Sequence, residues 1–143
     1  MKVSVIIRNR NEEEYIGFAI QSVIDHFKDP EIIIVDNNST DDSMKVVSLF
    51  DRYNIKEYSV KGNYTPGKAL NFGIKQSNND IVLVLSAHSQ ITTLNIEMLN
   101  RWFFKGHVAV FGNQTPIYKG KRITKRYIWS HFTSDIEENL YSD

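Results

Sequence analysis

Short apolar runs alternate with amphipathic stretches along the first part of the chain. Residues 3–7 and 32–35 are rich in Val and Ile, which predicts two buried strands. Between them, apolar residues recur three and four positions apart from Ile16 to Phe27, as on one face of a helix. Strands that alternate with helices predict an α/β domain with a mostly parallel central sheet flanked by helices.

The alternation continues beyond the second strand. Residues 46–53 predict a helix, residues 55–60 a strand, and Thr65 before Pro66 a third helix, because a capping hydroxyl ahead of proline is a helix-start signal. Residues 81–85 are the most apolar run and predict a central strand. A fourth helix is expected at 94–104 and a further strand at 108–111. Asn11 with Glu14 resembles a capping box, which predicts that the first helix begins directly after the first loop.

Composition narrows the class of protein. The 143 residues suit one domain, and 17 basic residues balance 17 acidic ones, so no overall charge attracts nucleic acid or an anionic membrane. The absence of cysteine excludes disulfides, thiolate zinc sites and cysteine nucleophiles, and makes a cytoplasmic location the expectation. No stretch approaches the roughly 20 apolar residues of a spanning helix, so no transmembrane segment is expected.

Polar residues follow the predicted strands at the edge where open parallel sheets bind ligands. They are Arg8, Asn9, Arg10 and Glu12 after the first strand, Asp36 and Asn38 after the second, and Ser86 and His88 after the strand at 81–85. Ordinary surface turns are also rich in Asn, Ser and Asp. However, arginines, carboxylates and a histidine at one edge favour a nucleotide diphosphate site. Such a site needs hydrogen-bond donors that face the phosphates, an acid that faces the base or ribose, and a metal ligand.

Two familiar nucleotide-binding motifs are absent from the sequence. A dinucleotide-dependent dehydrogenase carries a glycine-rich turn after its first strand, and residues 8–11 are Arg-Asn-Arg-Asn instead. There is no Walker lysine loop either. The sheet edge is therefore expected to bind a nucleotide of another kind.

Five segments resemble those of family 2 glycosyltransferases. VSVIIRNRNEE at 3–13 resembles their opening strand and loop, and IIVDNNSTD at 33–41 resembles their second motif. PGKALNFG at 66–73, LSAH at 85–88 and FGNQTP at 111–116 are similar to segments of a bacterial branch with SAH in place of Asp-x-Asp. The resemblance implies a Rossmann-like GT-A fold that transfers a sugar from a nucleotide-sugar donor, a UDP-sugar for preference, to an acceptor hydroxyl.

The resemblance also implies roles for individual residues. Those that would line the nucleotide pocket are Arg8, Asn9, Arg10 and Glu12, with Asp36 on the base or ribose, Asn38 beside it, Lys68 near the diphosphate or base, Asn71 on the same wall and Ser86 near the diphosphate. By the same resemblance, residues 1–118 form the nucleotide-sugar-binding domain. Residues 119–143 are expected to be a basic, aromatic tail packed on it, or one whose arginines close over the diphosphate.

The segment at Ser86–Ala87–His88 departs from most of the superfamily, which has Asp-x-Asp there. The carboxylates that usually hold a divalent ion are missing, which leaves His88 as the candidate metal ligand. Imidazole suits manganese better than magnesium. A histidine that serves only in hydrogen bonding is the alternative.

The catalytic base is the second open point. In larger relatives it lies beyond the segment where this sequence stops, and Glu137 and Glu138, near Asp135, are the late acidic candidates. These residues would equally suit a helix N-terminus. A nucleotide-sugar-binding module without independent transferase activity, completed by a further C-terminal region or a partner, is therefore the alternative function. A scaffold whose polar edge binds only protein is a third, and the glycan or lipid-linked acceptor and homo-oligomer formation stay open.

Overall fold

The computed structural model describes residues 1–60 and 62–122. One compact unit spans Met1–Leu94, and a second begins at Asn95. The first unit contains β1 (Ser4–Asn9), α1 (Ile16–His26), β2 (Glu31–Asp36), α2 (Ser43–Ser48), β3 (Ile55–Ser59), α3 (Pro66–Lys75) and β4 (Val82–Ser86). The second contains α4 (Ile96–Phe104) and the two-residue strands β5 (Ile117–Tyr118) and β6 (Lys121–Arg122), which pair antiparallel.

The first unit is built on a four-stranded parallel sheet in the order β3-β2-β1-β4. The chain moves outward from β1 to β3 and then returns across the sheet to β4. Because crossovers between parallel strands are right-handed, this reversal places α1 and α2 on one face and α3 on the other. The predicted α/β fold is confirmed, and the strand order reverses between β1 and β4.

The sheet core lies around β1 and β2, whose apolar side chains are buried on both faces. Ile6, Ile33 and Val35 form one cluster with Ala69 of α3, and Val5, Ile7, Ile32 and Ile34, which alternate with them, are also fully buried. Helix α3 comes so close to the sheet that a Cβ on Gly73 would lie 2.5 Å from Ile6 Cγ2. Glycine at this position therefore permits the contact between helix and sheet.

A buried carboxylate joins the strands at their amino ends. Glu31 of β2 is 2% exposed and accepts hydrogen bonds from Ser4 of β1 and from the backbone and side chain of Asn78, just before β4. Lys56 Nζ of β3 lies 2.7 Å from Glu31 Oε1. Burial raises the pKa of Glu31, but the Lys56 ion pair and these hydrogen bonds outweigh it and lower the pKa to about 2.

Three sequence predictions about the elements are wrong. The strand at 81–85 was expected to be central. Within the described part of the chain, however, β4 is an outer strand of the four-stranded sheet, and Val84 is half exposed. The apolar composition of β4 thus predicts a strand but does not determine its position in the sheet, and its residues are only partly buried. Residues 108–111 form no strand, and Val108 and Phe111 are exposed, because strand propensity needs a pairing partner. Helix α1 begins at Ile16 without a side-chain cap, since the Asn11 side chain bonds to Thr40 instead.

Candidate functional site

The carboxyl ends of β1, β2 and β4 meet at one edge of the sheet. Arg8 is in register with Val35 on one side and Ser86 on the other, and Asn9 is in register with Asp36. The predicted site residues that end these strands are thus brought together. The reversal of strand order between β1 and β4 leaves a crevice there, which is where open α/β sheets bind ligands.

The loops after β1 and β2 are locked to each other by hydrogen bonds. Asn11 and Asn38 have positive φ angles of 53°, a conformation that asparagine tolerates better than most residues. The bonds between the loops are Asn11 N to Ser39 Oγ, Glu12 N to Ser43 Oγ, Glu13 N to Asp41 Oδ2, Thr40 N to Asn11 Oδ1 and Asp42 N to Glu13 Oε2, all of 2.8–3.0 Å. This part of the edge is therefore preorganised.

Asp36 is the buried centre of the second loop. It is the last residue of β2 and only 8% exposed. Its Oδ1 accepts from Asn9 Nδ2 at 2.8 Å and from Ser39 Oγ at 2.5 Å, and its Oδ2 accepts from Ser39 N at 2.9 Å. A carboxylate oxygen can accept two hydrogen bonds, so Oδ2 retains capacity for one more. Asn9, itself 2% exposed, holds Asp36 in place from the adjacent strand β1.

A groove of about 280 Å³ lies beside Asp36 and is lined by Asp36, Met44, Glu57, Tyr58 and Ser59. This volume is close to the lower end of the usual range for small-molecule sites. Two of the lining residues carry carboxylates, which accept hydrogen bonds and repel phosphate. The groove therefore suits the hydrogen-bond donors of a base or ribose better than a diphosphate.

Arg8 is half-buried at the end of β1 and donates from Nη1 to the hydroxyl of Tyr64 at 3.1 Å. The ring of Tyr64 packs against the cluster of Ile6, Ile33, Val35 and Ala69. Tyr64 was not among the site residues predicted from the sequence, because an aromatic residue in the loop before α3 carries no local signal of a contact 56 residues away. The contact holds the guanidinium beside the edge of the sheet.

The remaining predicted pocket residues have exposed side chains. Asn38 Oδ1 accepts from Ser59 Oγ at 3.2 Å, and Lys68, in the first turn of α3, donates from Nζ to the carbonyl oxygen of Asn63 at 3.3 Å. Arg10 and Asn71 are exposed in the first loop and on α3. The charged groups of Arg10 and Lys68 are therefore accessible to a ligand with no change in the packing of the core.

Glu12, Ser86 and His88 form a cluster across the crevice between β1 and β4. His88 Nδ1 lies 2.9 Å from Glu12 Oε1, and Ser86 Oγ lies 3.2 Å from Nε2 and 3.4 Å from Nδ1 of the same ring. A serine nucleophile would lie in line with Nε2 and much farther from Nδ1. The nearly equal distances therefore exclude a serine-protease-like alignment in this conformation.

The donor set at this crevice fits a divalent ion only if a bound ligand completes it. Imidazole nitrogen and carboxylate oxygen are both suitable donors for manganese. Among residues 1–60 and 62–122, no three or more ligating side chains come together in a metal-binding group. Oxygens of a bound diphosphate and water would have to supply the other ligands. Glu137, Glu138 and Asp135, the candidates for a catalytic base, lie outside the described residues.

Comparison with known proteins agrees with this fold. The model of the family described as glycosyl transferase family 2 matches residues 4–142. The chain therefore belongs to glycosyl transferase family 2, as its motifs indicated. None of the helices in the described part of the chain is long and apolar enough to cross a membrane.

Two of the relatives that the chain matches carry the name of a glycosyltransferase. The chain is 31% identical over 140 residues to the GalNAc(5)-diNAcBac-PP-undecaprenol beta-1,3-glucosyltransferase of Campylobacter jejuni, which covers 95% of this chain and 45% of that protein. It is 34% identical over 137 residues to the probable glycosyltransferase YdaM of Bacillus subtilis, or 89% of this chain and 33% of that one. The chain thus spans less than half the length of these relatives.

A solved structure has the same architecture. The crystal structure of S. aureus TarS 1–349 in complex with UDP matches with a TM-score of 0.64 and 27% sequence identity, over 73% of this chain and 32% of that one. The likeness supports the GT-A fold that the sequence resemblance implied.

Proposed function

We propose that this chain binds a nucleotide sugar, a UDP-sugar for preference, as the donor for transfer of the sugar to an acceptor hydroxyl. The observation that carries the proposal is the convergence of Arg8, Glu12, Asp36, Ser86 and His88 at the switch point of a family 2 glycosyltransferase fold. The UDP bound to the related TarS supports uracil as the base.

The charges along the edge orient the proposed donor. The carboxylate of Asp36 and the adjoining groove accept hydrogen bonds from the nucleoside, while Asn9 and Asn38 hold that wall in place. Arg8, Arg10 and Lys68 supply positive charge to the diphosphate, which carries growing negative charge as the sugar departs. The residues of the crevice thus divide between recognising the nucleoside and stabilising the leaving group.

Calorimetric titration with UDP, GDP, dTDP and uridine tests this assignment. We expect saturable UDP binding, which Arg10→Ala weakens about 10-fold or more, because one charge-assisted hydrogen bond to phosphate is worth about 1.5–3 kcal/mol. Uridine binding should not change, because uridine has no phosphate. Arg52→Ala, which removes an exposed arginine stacked on Tyr53, is the matched control. Equal losses for UDP and uridine would contradict the proposed orientation.

A second candidate function is donor binding without independent sugar transfer. The chain covers 45% of the Campylobacter relative. Sugar transfer needs a base that deprotonates the acceptor hydroxyl, and none of the described residues is assigned that role. Release of UDP from UDP-sugars, measured with and without candidate glycan acceptors, separates the two functions. Donor binding with no UDP release would favour the binding module.

A further inference from the structure

The Glu12–His88 pair is a side-chain contact that links the loops across the switch point. Glu12 follows β1 and His88 follows β4, 76 positions apart in the sequence, yet Oε1 and Nδ1 lie 2.9 Å apart. His88 is exposed over 58% of its side chain and Glu12 over 25%. The imidazole therefore remains accessible to a ligand while one of its nitrogens is engaged by a carboxylate.

The contact determines which ring nitrogen has a free lone pair. An ionised carboxylate only accepts hydrogen bonds, so the proton in this contact lies on Nδ1 of His88. In neutral imidazole the lone pair is then on Nε2. Histidines that bind metals commonly donate their other N–H to a carboxylate in this way, which fixes both the tautomer and the ring orientation.

We propose that Glu12 is a positioning residue that orients His88 to bind a divalent metal ion through Nε2. Ser86 Oγ, at 3.2 Å from Nε2 and 3.4 Å from Nδ1, is nearly equidistant from the two nitrogens and therefore does not occupy the lone-pair direction of Nε2. The inference rests on the proposed function, since the diphosphate oxygens of the donor and water supply the remaining ligands. It gives Glu12 a role in orienting a metal ligand, in place of direct contact with the nucleotide.

The experiment is a manganese titration followed by electron paramagnetic resonance, in which the signal of free Mn²⁺ falls as the ion binds. It is run on the full chain with saturating UDP, and again with Mn²⁺ alone. Glu12→Ala should weaken Mn²⁺ binding about 10- to 100-fold, the usual cost of removing the carboxylate partner of a ligating histidine. Glu14→Ala, on the same loop, is the matched control and should bind Mn²⁺ as the wild type does.

Two further variants distinguish positioning from direct ligation. Glu12→Gln should restore most of the affinity lost in Glu12→Ala, because the amide oxygen still accepts from Nδ1. A carboxylate that bound the ion itself would not be replaced by an amide in this way. The double variant Glu12→Ala/His88→Ala should bind Mn²⁺ no more weakly than His88→Ala alone, because both residues act through one ligand.

The outcomes are separable from those of the proposed function. Equal Mn²⁺ affinity in wild type and Glu12→Ala, or a Glu12→Gln variant as weak as Glu12→Ala, would overturn the positioning role. UDP binding without any Mn²⁺ binding would overturn the metal site and leave donor binding intact. If UDP fails to bind, the proposed function falls, and the metal site that depends on the diphosphate oxygens falls with it.

Discussion

Substitution of Glu31 by glutamine tests the network that joins β1, β2 and β3 to the loop before β4. Glutamine has nearly the same volume, but it loses the charge that pairs with Lys56. The side-chain NH₂ group of glutamine would also face hydrogen-bond donors, because Ser4 and Asn78 now donate to the carboxylate oxygens. Because Glu31 is 2% exposed, water does not replace the lost partners.

The lowered pKa of Glu31 gives the size of the effect. The pKa falls from 4.5 to about 2 on folding. At about 1.36 kcal/mol per pH unit, this corresponds to about 3 kcal/mol of stability at neutral pH. A group whose pKa is lower in the folded state contributes fully above its unfolded pKa, and the contribution is lost as pH falls from about 4.5 towards 2.

Urea unfolding followed by circular dichroism at pH 7, 5, 4 and 3 measures this contribution. We expect Glu31→Gln to lower the free energy of unfolding by about 3 kcal/mol at pH 7, with the difference from wild type shrinking as pH falls below about 4.5. Glu57→Gln, on the exposed face of β3, should show a change of less than about 0.5 kcal/mol. A difference between wild type and Glu31→Gln that stays constant from pH 7 to 3 would refute the argument.

Three further substitutions test packing, capping and positioning. Gly73→Ala should lower stability by about 1–3 kcal/mol in thermal unfolding, because the added methyl group would lie 2.5 Å from a core isoleucine, whereas Gly67→Ala, with open space around its Cβ, should not destabilise the chain. Thr65→Ala should cost about 1 kcal/mol, since its hydroxyl caps α3; an unchanged melting temperature would contradict the cap. Tyr64→Phe should weaken UDP binding about 3- to 10-fold without altering the melting temperature, because it removes only the hydrogen bond to Arg8; equal UDP affinity would show that this bond does not position the guanidinium.

Much of the first unit follows from local patterns in the sequence. The apolar runs of β1 and β2, the Thr65 cap and the polar residues after each strand all appear where they were predicted, because hydrophobic periodicity and capping chemistry act over a few residues. The grouping of Arg8, Asp36 and Ser86 at one edge also follows, since parallel strands place their carboxyl ends together.

The contacts that complete the site could not be read from the sequence. Tyr64 meets Arg8, and Glu12 meets His88, only because the strand order brings distant loops together. The start of α1 was misplaced for a related reason. Asn11 has a capping residue's chemistry, but its side chain bonds to the neighbouring loop, and tertiary contacts override such local preferences.

The most direct test of the account is to map UDP binding by amide ¹H–¹⁵N spectra of the labelled chain. We expect saturable shifts of the amides at residues 8–12, 36–39, 64–65, 67–68 and 86–88, with the amides of Glu31 and Asn78 at the opposite edge unchanged. Shifts centred on that opposite edge, or no shifts at any UDP concentration, would contradict the placement of a nucleotide site at the carboxyl ends of β1, β2 and β4.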